Sequence, residues 1–266
     1  MPRNIKWYGW VPDIPDPRDF MYAAPAAILQ ELPPSIDLRS SCSPVYDQGE
    51  LGSCTANAIG GAFEFDQGKL VLQQFTPSRL FIYYNERAIE GSVDQDNGAR
   101  IRDGIKSVVK QGVCPESEWP YSIDMSVVTR KPPAPAYADA LKNRVVAYHR
   151  VAQNGRQMKG CLAEGYPFVF GFAVYSSFES DEVTHTGVVP MPDPNTEEQV
   201  GGHAVMAVGY DDAQQRFIVR NSWGTDWGMA GYCTMPYAYL TDHQHSNDFW
   251  TIRGVTGESA TSRAAA

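Results

Sequence analysis

The sequence of 266 residues predicts an α+β protein in which a helical part precedes a β-rich part. Apolar residues recur at helical spacing in three segments between residues 53 and 111. Short β-rich segments, separated by glycine or polar turns, follow from residue 168 onwards. Between the two parts, residues 131–137 hold three prolines, and we interpret them as a linker because proline interrupts helices. We therefore expect a helical lobe at 34–130 and a β-rich lobe at 137–253.

The chain begins with a segment, residues 1–33, that is rich in proline and aromatic side chains and has no helical or alternating period. This composition predicts an extended arm, stiffened by prolines at positions 12, 15 and 17. The arm should dock on the rest of the protein, because its aromatic side chains carry too much apolar area to remain in water. Those side chains are Trp7, Tyr8, Trp10, Phe20 and Tyr22.

Three helices are predicted in the first lobe. The first begins near Cys54 and ends near Gly68, and the second covers about 77–90 with a proline at its start. The third covers about 99–111 and ends at Gly112. The apolar faces of the first and third helices are formed by Ala58, Ile59, Ala62 and Phe63, and by Ile101, Ile105, Val108 and Val109.

Four strands are predicted in the second lobe, each short and rich in β-forming residues. After them, the residues from 254 to 266 are small and polar, and we expect a flexible tail. The predicted strands cover 168–174, 203–210, 216–223 and 231–237.

Composition excludes several classes of function. The formal net charge of −9 repels phosphate backbones, so we expect no nucleic-acid partner. We expect no membrane partner, because no run of 18 or more apolar residues occurs. The first 20 residues lack the apolar core of a secretory signal, so we expect a cytoplasmic protein, or one exported without a classical signal peptide. We also expect a monomer.

The cysteine and histidine pattern gives no metal site. The five cysteines are an odd number and form no CxxC pair, which favours a reducing compartment or a thiol with a chemical role. His243 and His245 lie two apart in a polar segment, where solvated side chains are the commoner outcome. We therefore expect neither a metal nor another cofactor.

Three residues suggest nucleophilic catalysis. Cys54 stands at the predicted start of a helix, where the positive helix end would favour the reactive thiolate, although a buried structural thiol is the commoner case. His203 opens an apolar strand and could exchange a proton with that thiol. Asn221 follows 18 residues later (221 − 203), a spacing at which a hairpin can bring an amide beside the imidazole.

These residues lie in motifs that resemble the papain family of cysteine proteases (clan CA, C1) over residues 32–237. The matching strings are LPPSIDLR at 32–39, VYDQGELGSCTANA around Cys54, and NSWGTDWGMAGY from Asn221. The resemblance implies a papain-like two-lobe fold, with a helical left lobe, a β-barrel-like right lobe and the active-site cleft between them. It also implies that Cys54 is the nucleophile, that His203 and Asn221 assist it, and that Gln48 stabilises the oxyanion.

The same resemblance implies where a peptide substrate binds. Asn97, Gly98 and Ala99 would pair with an extended peptide. A roomy pocket, lined by Ile101, Gly171, Gly201 and Gly202, would take the second side chain before the cut, for which we expect a bulky apolar residue. Trp223 would cover the contact between asparagine and histidine.

The sequence departs from the family at two cysteine positions. Leu51 stands where the family usually has a half-cystine, and no cysteine precedes Asn97, so both halves of that bridge are missing. Thr55 replaces the usual tryptophan, and only about 33 residues precede the mature-like start. These features suggest a bacterial, xylellain-type branch of the family.

The function predicted from the resemblance is thiol endopeptidase activity on a peptide or protein substrate. A thiol amidase or acyltransferase of the same clan and an inactive peptide-binding module remain alternatives. By family precedent the N-terminal arm would cross the cleft, as in a zymogen. Structural cladding on the back of a lobe remains the alternative for the arm.

Overall fold

The computed structural model describes residues 8–260, so Trp7 and the last six residues of the predicted tail lie outside the described chain. Its helices are α1 Ala26–Gln30, α2 Cys54–Lys69, α3 Arg79–Glu90, α4 Ile101–Gln111, α5 Met125–Val128, α6 Ala134–Ala140, α7 Gly155–Ala163, α8 Asp181–Thr186 and α9 Tyr237–Thr241. Its strands are β1 Ser35–Asp37, β2 Val145–Arg150, β3 Phe168–Tyr175, β4 Gln199–Asp211, β5 Arg216–Arg220, β6 Tyr232–Pro236 and β7 Ser246–Val255.

The helical lobe is built on α2, which packs against α3, α4 and the sheet. The ends of α3 and α4 are determined by capping residues. The hydroxyl of Ser78 caps α3 by accepting a hydrogen bond from the backbone N–H of Phe81, and α3 ends at Gly91 in a left-handed conformation. Gly112 ends α4 with a φ of 77°, and a Cβ there would lie 1.7 Å from the carbonyl oxygen of Ala140.

The predicted proline linker at 131–137 is partly helical. Residues 134–140 form α6, with Pro135 in the first turn. The prediction was wrong because proline is excluded only from helix interiors. Its missing N–H costs nothing in the first turn, where the backbone N–H groups have no partner within the helix.

One antiparallel sheet forms the β-rich lobe, in the order β2-β7-β3-β4-β5-β6, with β1 added beside β4. Sequence patterning did not identify β2 or β7. The predicted tail was also placed too early, since β7 continues to Val255 and Ser259 bridges to Leu72. Within the described residues, no helix combines the length and the apolar character needed to cross a membrane.

Two apolar clusters stabilise the lobes, and α2 and β4 meet in one of them. One cluster surrounds α2, α3 and α4, and the other fills the sheet around Phe168 and Phe170. Cys54 of α2 and Ala204 of β4 belong to the first cluster, so the start of α2 packs directly against β4.

Candidate active site

Cys54 is the first residue of α2, and its side chain is completely buried. Burial raises the pKa of the thiol to about 12. The backbone N–H groups of Ala204, Gly9 and Thr55 have the opposite effect on the pKa, because they stabilise the thiolate. The sequence predicted an activated thiolate from the helix end alone. In this structure the effect of burial is larger, and Gly9 of the N-terminal arm is among the residues that interact with the sulfur.

His203 and Asn221 meet as the hairpin spacing predicted. Strands β4 and β5 pair in an antiparallel register, and Nε2 of His203 lies 2.8 Å from Oδ1 of Asn221. An amide oxygen only accepts hydrogen bonds, so Nε2 carries the proton in this contact. The ring of Trp223 stacks on the imidazole with a centroid distance of 5.1 Å. Both His203 and Asn221 are nearly fully buried, which keeps water from their contact.

Gln48 is buried beside the start of α2 and is held at both ends of its side-chain amide. Its Nε2 donates to the carbonyl of Leu51 at 2.8 Å, and its Oε1 accepts from the hydroxyl of Ser222 at 2.6 Å. The backbone N–H of Gln48 also donates to the carbonyl of Ser222 at 2.9 Å. The side chain therefore has a fixed orientation, bound to Ser222 and to Leu51 in the loop three residues before Cys54.

The N-terminal arm occupies the cleft between the two lobes. Trp10 donates its backbone N–H to the carbonyl of Gly202 at 2.9 Å. On the opposite wall, Ala99 donates to the carbonyl of Gly9 at 2.8 Å and accepts from Val11 at 3.0 Å, in a parallel bridge. Two of the predicted substrate-binding residues, Ala99 and Gly202, are thus paired with the protein's own chain.

The side chain of Trp10 lies against glycines predicted to line a pocket. A Cβ at Gly171 would lie 2.0 Å from Cε2 of Trp10, and one at Gly202 would lie 2.7 Å from its Cε3. The indole Nε1 donates to Oδ2 of Asp248 at 3.2 Å. Tyr8 covers Gly201, and its ring lies 6.1 Å from that of His203.

The remaining predicted substrate-binding residues lie at different depths. Gly98 contacts the arm directly, since a Cβ there would lie 2.1 Å from the carbonyl oxygen of Gly9. Asn97 is exposed, next to the buried Gly98. Ile101, the first residue of α4, is completely buried in the core of the helical lobe.

Sequence reasoning missed the buried polar cluster that anchors the arm. Asp13 accepts from Nε1 of Trp250 at 2.8 Å and from the backbone N–H of Arg102 at 3.1 Å, and its own N–H donates to Oδ2 of Asp248 at 2.7 Å. Burial, and then the charge of Asp248, raise the pKa of Asp13. In the sequence, Asp13 is only one of several charges between prolines.

A second acidic residue of the arm, Asp19, bridges two arginines of the body. Its carboxylate lies 2.5 Å from Arg102 and 3.4 Å from Arg150. The arm then continues beside β2, where Tyr22 and Arg150 pair through a backbone hydrogen bond of 2.8 Å. The arm thus both crosses the cleft and covers part of the β-rich lobe.

Of the two histidines considered as metal ligands, His243 is exposed as expected, whereas His245 has a different environment. His245 is buried and packs between the rings of Tyr175 and Tyr239, at 5.6 and 5.5 Å. It is therefore not a solvated side chain. Across residues 8–260 no cluster of three or more histidine, cysteine or acidic side chains is arranged to hold a metal ion.

Comparison with known families identifies the family of this chain. The family model described as papain family cysteine protease matches residues 32–245. An uncharacterized peptidase C1-like protein of Acanthamoeba polyphaga mimivirus is 48% identical over 219 residues, which cover 79% of this chain and 70% of that protein. Cysteine proteinase 1 of Entamoeba histolytica is 27% identical over 215 residues, which cover 77% of this chain and 64% of that protein.

Solved structures give the same result for the fold. Xylellain, a cysteine protease from Xylella fastidiosa, is 46% identical with a TM-score of 0.88, over 94% of this chain and 97% of that one. A procathepsin B from Trypanosoma congolense is 21% identical with a TM-score of 0.72, over 88% of this chain and 82% of that one. The predicted α+β architecture with two lobes is confirmed.

Proposed function

The chain belongs to the papain family of cysteine proteases, and on that premise we propose that it is an endopeptidase whose N-terminal arm covers the cleft until it is displaced. Cys54 is the nucleophile in this proposal, with His203, Asn221 and Gln48 as its assisting residues. Residues 1–33 act as a pro-segment, and residues 34–253 act as the peptidase domain. The protein works as a single chain on peptides or proteins, without a cofactor.

The proposed reaction follows from the hydrogen bonds of the site. Because Nε2 of His203 donates to Asn221, Nδ1 is the atom that takes the thiol proton. The thiolate then adds to the peptide carbonyl, and the side-chain amide of Gln48 and the backbone N–H of Cys54 stabilise the oxyanion. Collapse of the adduct breaks the C–N bond, and His203 returns the proton to the leaving amine. Water, deprotonated by His203, hydrolyses the thioester and regenerates the thiol.

The arm is proposed as an inhibitor rather than a substrate. The backbone N–H of Gly9 is among the groups that lower the pKa of Cys54, so in this proposal the arm presents a hydrogen-bond donor to the sulfur. The parallel pairing of Trp10 with Ala99 holds the arm in this orientation. Burial by the arm also keeps the thiol protonated, since it raises the pKa.

The position of Trp10 supports a refined substrate preference. The three pocket glycines, Gly171, Gly201 and Gly202, leave room for a large side chain, and the indole of Trp10 in this pocket donates to the carboxylate of Asp248. We therefore propose that the pocket prefers a large aromatic side chain with an N–H donor over a purely apolar one.

The single observation that carries the proposal is the buried contact of His203 with Asn221, on the strand whose next residue, Ala204, stabilises the Cys54 thiolate through its backbone N–H. The test uses the full chain and a form starting near Leu32, each treated with an epoxysuccinyl peptide and assayed on a fluorogenic dipeptide amide. We expect the shorter form, once shown to be folded, to be labelled at Cys54 and to turn over faster. Cys54→Ala should lower turnover by at least ~10³-fold, while Cys42→Ala, a matched change of a distant thiol, should not.

Two results would overturn parts of this proposal. Turnover retained by purified Cys54→Ala would refute the assignment of the nucleophile. A folded short form that is no faster than the full chain would refute inhibition by the arm. The arm would then have only a structural role, packing on the surface of a lobe.

A further inference from the structure

A carboxylate lies where the cleft lacks a covalent crosslink. Leu51 occupies one of the two positions at which related enzymes carry a disulfide, and Asp96, which directly precedes Asn97, occupies the other. All five cysteines lie within the described residues and are free thiols. The loop before the nucleophile and the segment that binds substrate must therefore be held together by other contacts.

Asp96 makes those contacts with the loop before Cys54. The backbone N–H of Gly52 donates to Oδ1 of Asp96 at 3.0 Å and to Oδ2 at 3.2 Å. A Cβ at Gly52 would lie 3.0 Å from Oδ1, so the close approach favours a glycine there. Because the acceptor is a carboxylate, the bond is stronger than one between neutral groups.

The network continues from Asp96 to Gly98, two residues further along the same segment, through one tyrosine. The hydroxyl of Tyr83, in α3, donates to Oδ1 of Asp96 at 2.5 Å. The same hydroxyl accepts from the backbone N–H of Gly98 at 3.3 Å. A continuous chain of hydrogen bonds thus connects Gly52 to Gly98.

Both ends of this network reach the reacting groups. Gly52 lies two residues before Cys54, and the carbonyl of its neighbour Leu51 accepts from the side chain of Gln48. Gly98 precedes Ala99, whose backbone pairs with the chain in the cleft. A shift of either end would change the distance between the nucleophile and a bound peptide.

We propose that Asp96 is a positioning residue that holds the nucleophile loop against the substrate-binding segment, as a non-covalent replacement for a disulfide. The inference rests on the proposed function of Cys54. A hydrogen-bonded carboxylate keeps this geometry under reducing conditions, in which a disulfide would open.

The test compares Asp96→Ala, Asp96→Asn and the matched control Asp94→Ala, an exposed residue of the same segment. Each change is made in the full chain carrying Trp10→Ala, which loosens the arm. We expect Asp96→Ala to lower kcat/KM on the dipeptide amide by about 10- to 100-fold, mainly through kcat, because small displacements of reacting groups are costly. Asp96→Asn should retain most of the activity, since its amide oxygen can still accept from Gly52. Asp94→Ala should leave activity unchanged.

A double variant separates positioning from general stability. In Leu51→Cys/Asp96→Cys, oxidation should restore the activity that is lost under dithiothreitol, with mass spectrometry reporting the bridge. A merely structural role of Asp96 would lower the melting temperature without this redox-dependent recovery. Asp96→Ala with the kcat/KM of Asp94→Ala would overturn the proposal.

A second measurement does not depend on turnover. Hydrogen exchange of the Gly52 and Gly98 amides, followed by NMR in the full chain, should be at least ~10-fold faster in Asp96→Ala and unchanged in Asp94→Ala. Unchanged exchange at both amides would overturn the proposed role of Asp96 even if the Trp10→Ala parent were active. If the Trp10→Ala parent were neither active nor labelled by the epoxysuccinyl peptide, the proposed function would fail, and exchange would still decide whether Asp96 holds the two segments.

Discussion

Replacing Trp10 with alanine in the full chain should expose Cys54 to small alkylating reagents. The indole fills the space above Gly171 and Gly202 and donates to Asp248, so it provides much of the contact between the arm and the cleft. Without it, the arm should dissociate from the cleft more often. In the docked state burial raises the pKa of the Cys54 thiol to about 12. After dissociation of the arm, the pKa of the thiol should return towards its ordinary value.

The size of the effect follows from the burial of the ring. Removing a fully buried tryptophan side chain costs about 3–5 kcal/mol. Trp10 is half-buried, so a loss of about 2 kcal/mol in docking is expected from the same principle. Since about 1.4 kcal/mol is a tenfold change, the open population, and with it the alkylation rate of Cys54, should rise about 30-fold.

The assay measures iodoacetamide incorporation at pH 7 by mass spectrometry of peptides from the wild type, Trp10→Ala and Phe20→Ala. Cys42 serves as an internal reference, because it is a half-buried thiol outside the cleft. Phe20→Ala is the matched control, since its ring belongs to the same arm but is 74% exposed. We expect a faster reaction only at Cys54 and only in Trp10→Ala.

One result would refute this reasoning directly. If Cys54 in folded Trp10→Ala reacts at the wild-type rate, the indole does not hold the arm over the thiol. An equal increase in Phe20→Ala would show that any truncation of the arm opens the cleft, without a specific role for the pocket.

Three further predictions concern the arm anchor, the assisting residues and the thiols. Asp13 has a pKa raised above its ordinary value when docked, so docking takes up a proton and weakens as pH rises from about 4 through about 6. The ratio of Cys54 alkylation in wild type to that in Asp13→Asn should therefore rise over this window, and a constant ratio would contradict the linkage. In the arm-loosened chain, His203→Ala should lower kcat/KM by about 10³-fold or more and Asn221→Ala by less, because packing partly maintains the ring orientation. Thiol titration of the denatured, non-reduced protein should find five free thiols, and fewer than three would show that the redox setting was misjudged.

The positions of Cys54, His203 and Asn221 in the fold could be predicted because they depend on local chemistry. The placement of Cys54 follows from the start of α2, and the meeting of His203 with Asn221 follows from one hairpin. The match of the family model over residues 32–245 confirms the family that these motifs indicated. Local spacing thus carried the prediction of family and fold.

The contacts of the arm could not be predicted because they join distant parts of the chain. Trp10 and Asp13 bind Asp248, which lies more than 230 residues away, and no periodic pattern connects them. The contacts of Asp96 with Gly52 and Tyr83 could not be predicted either, since the missing cysteines showed only that a disulfide was absent. Its replacement depends on the hydroxyl of Tyr83, which helical periodicity marks simply as a core position.

The absence of side chains at Gly171 and Gly202 has an evolutionary consequence. The same two positions admit the indole of the arm and would admit the side chain of a substrate, so under the proposed function self-inhibition and selectivity would share one surface. A mutation such as Gly171→Ala would narrow the pocket for substrates and expel the arm in a single step. A change in the substrate specificity of this protease must therefore be accompanied by a compensating change near residue 10. The arm and the pocket must then evolve together.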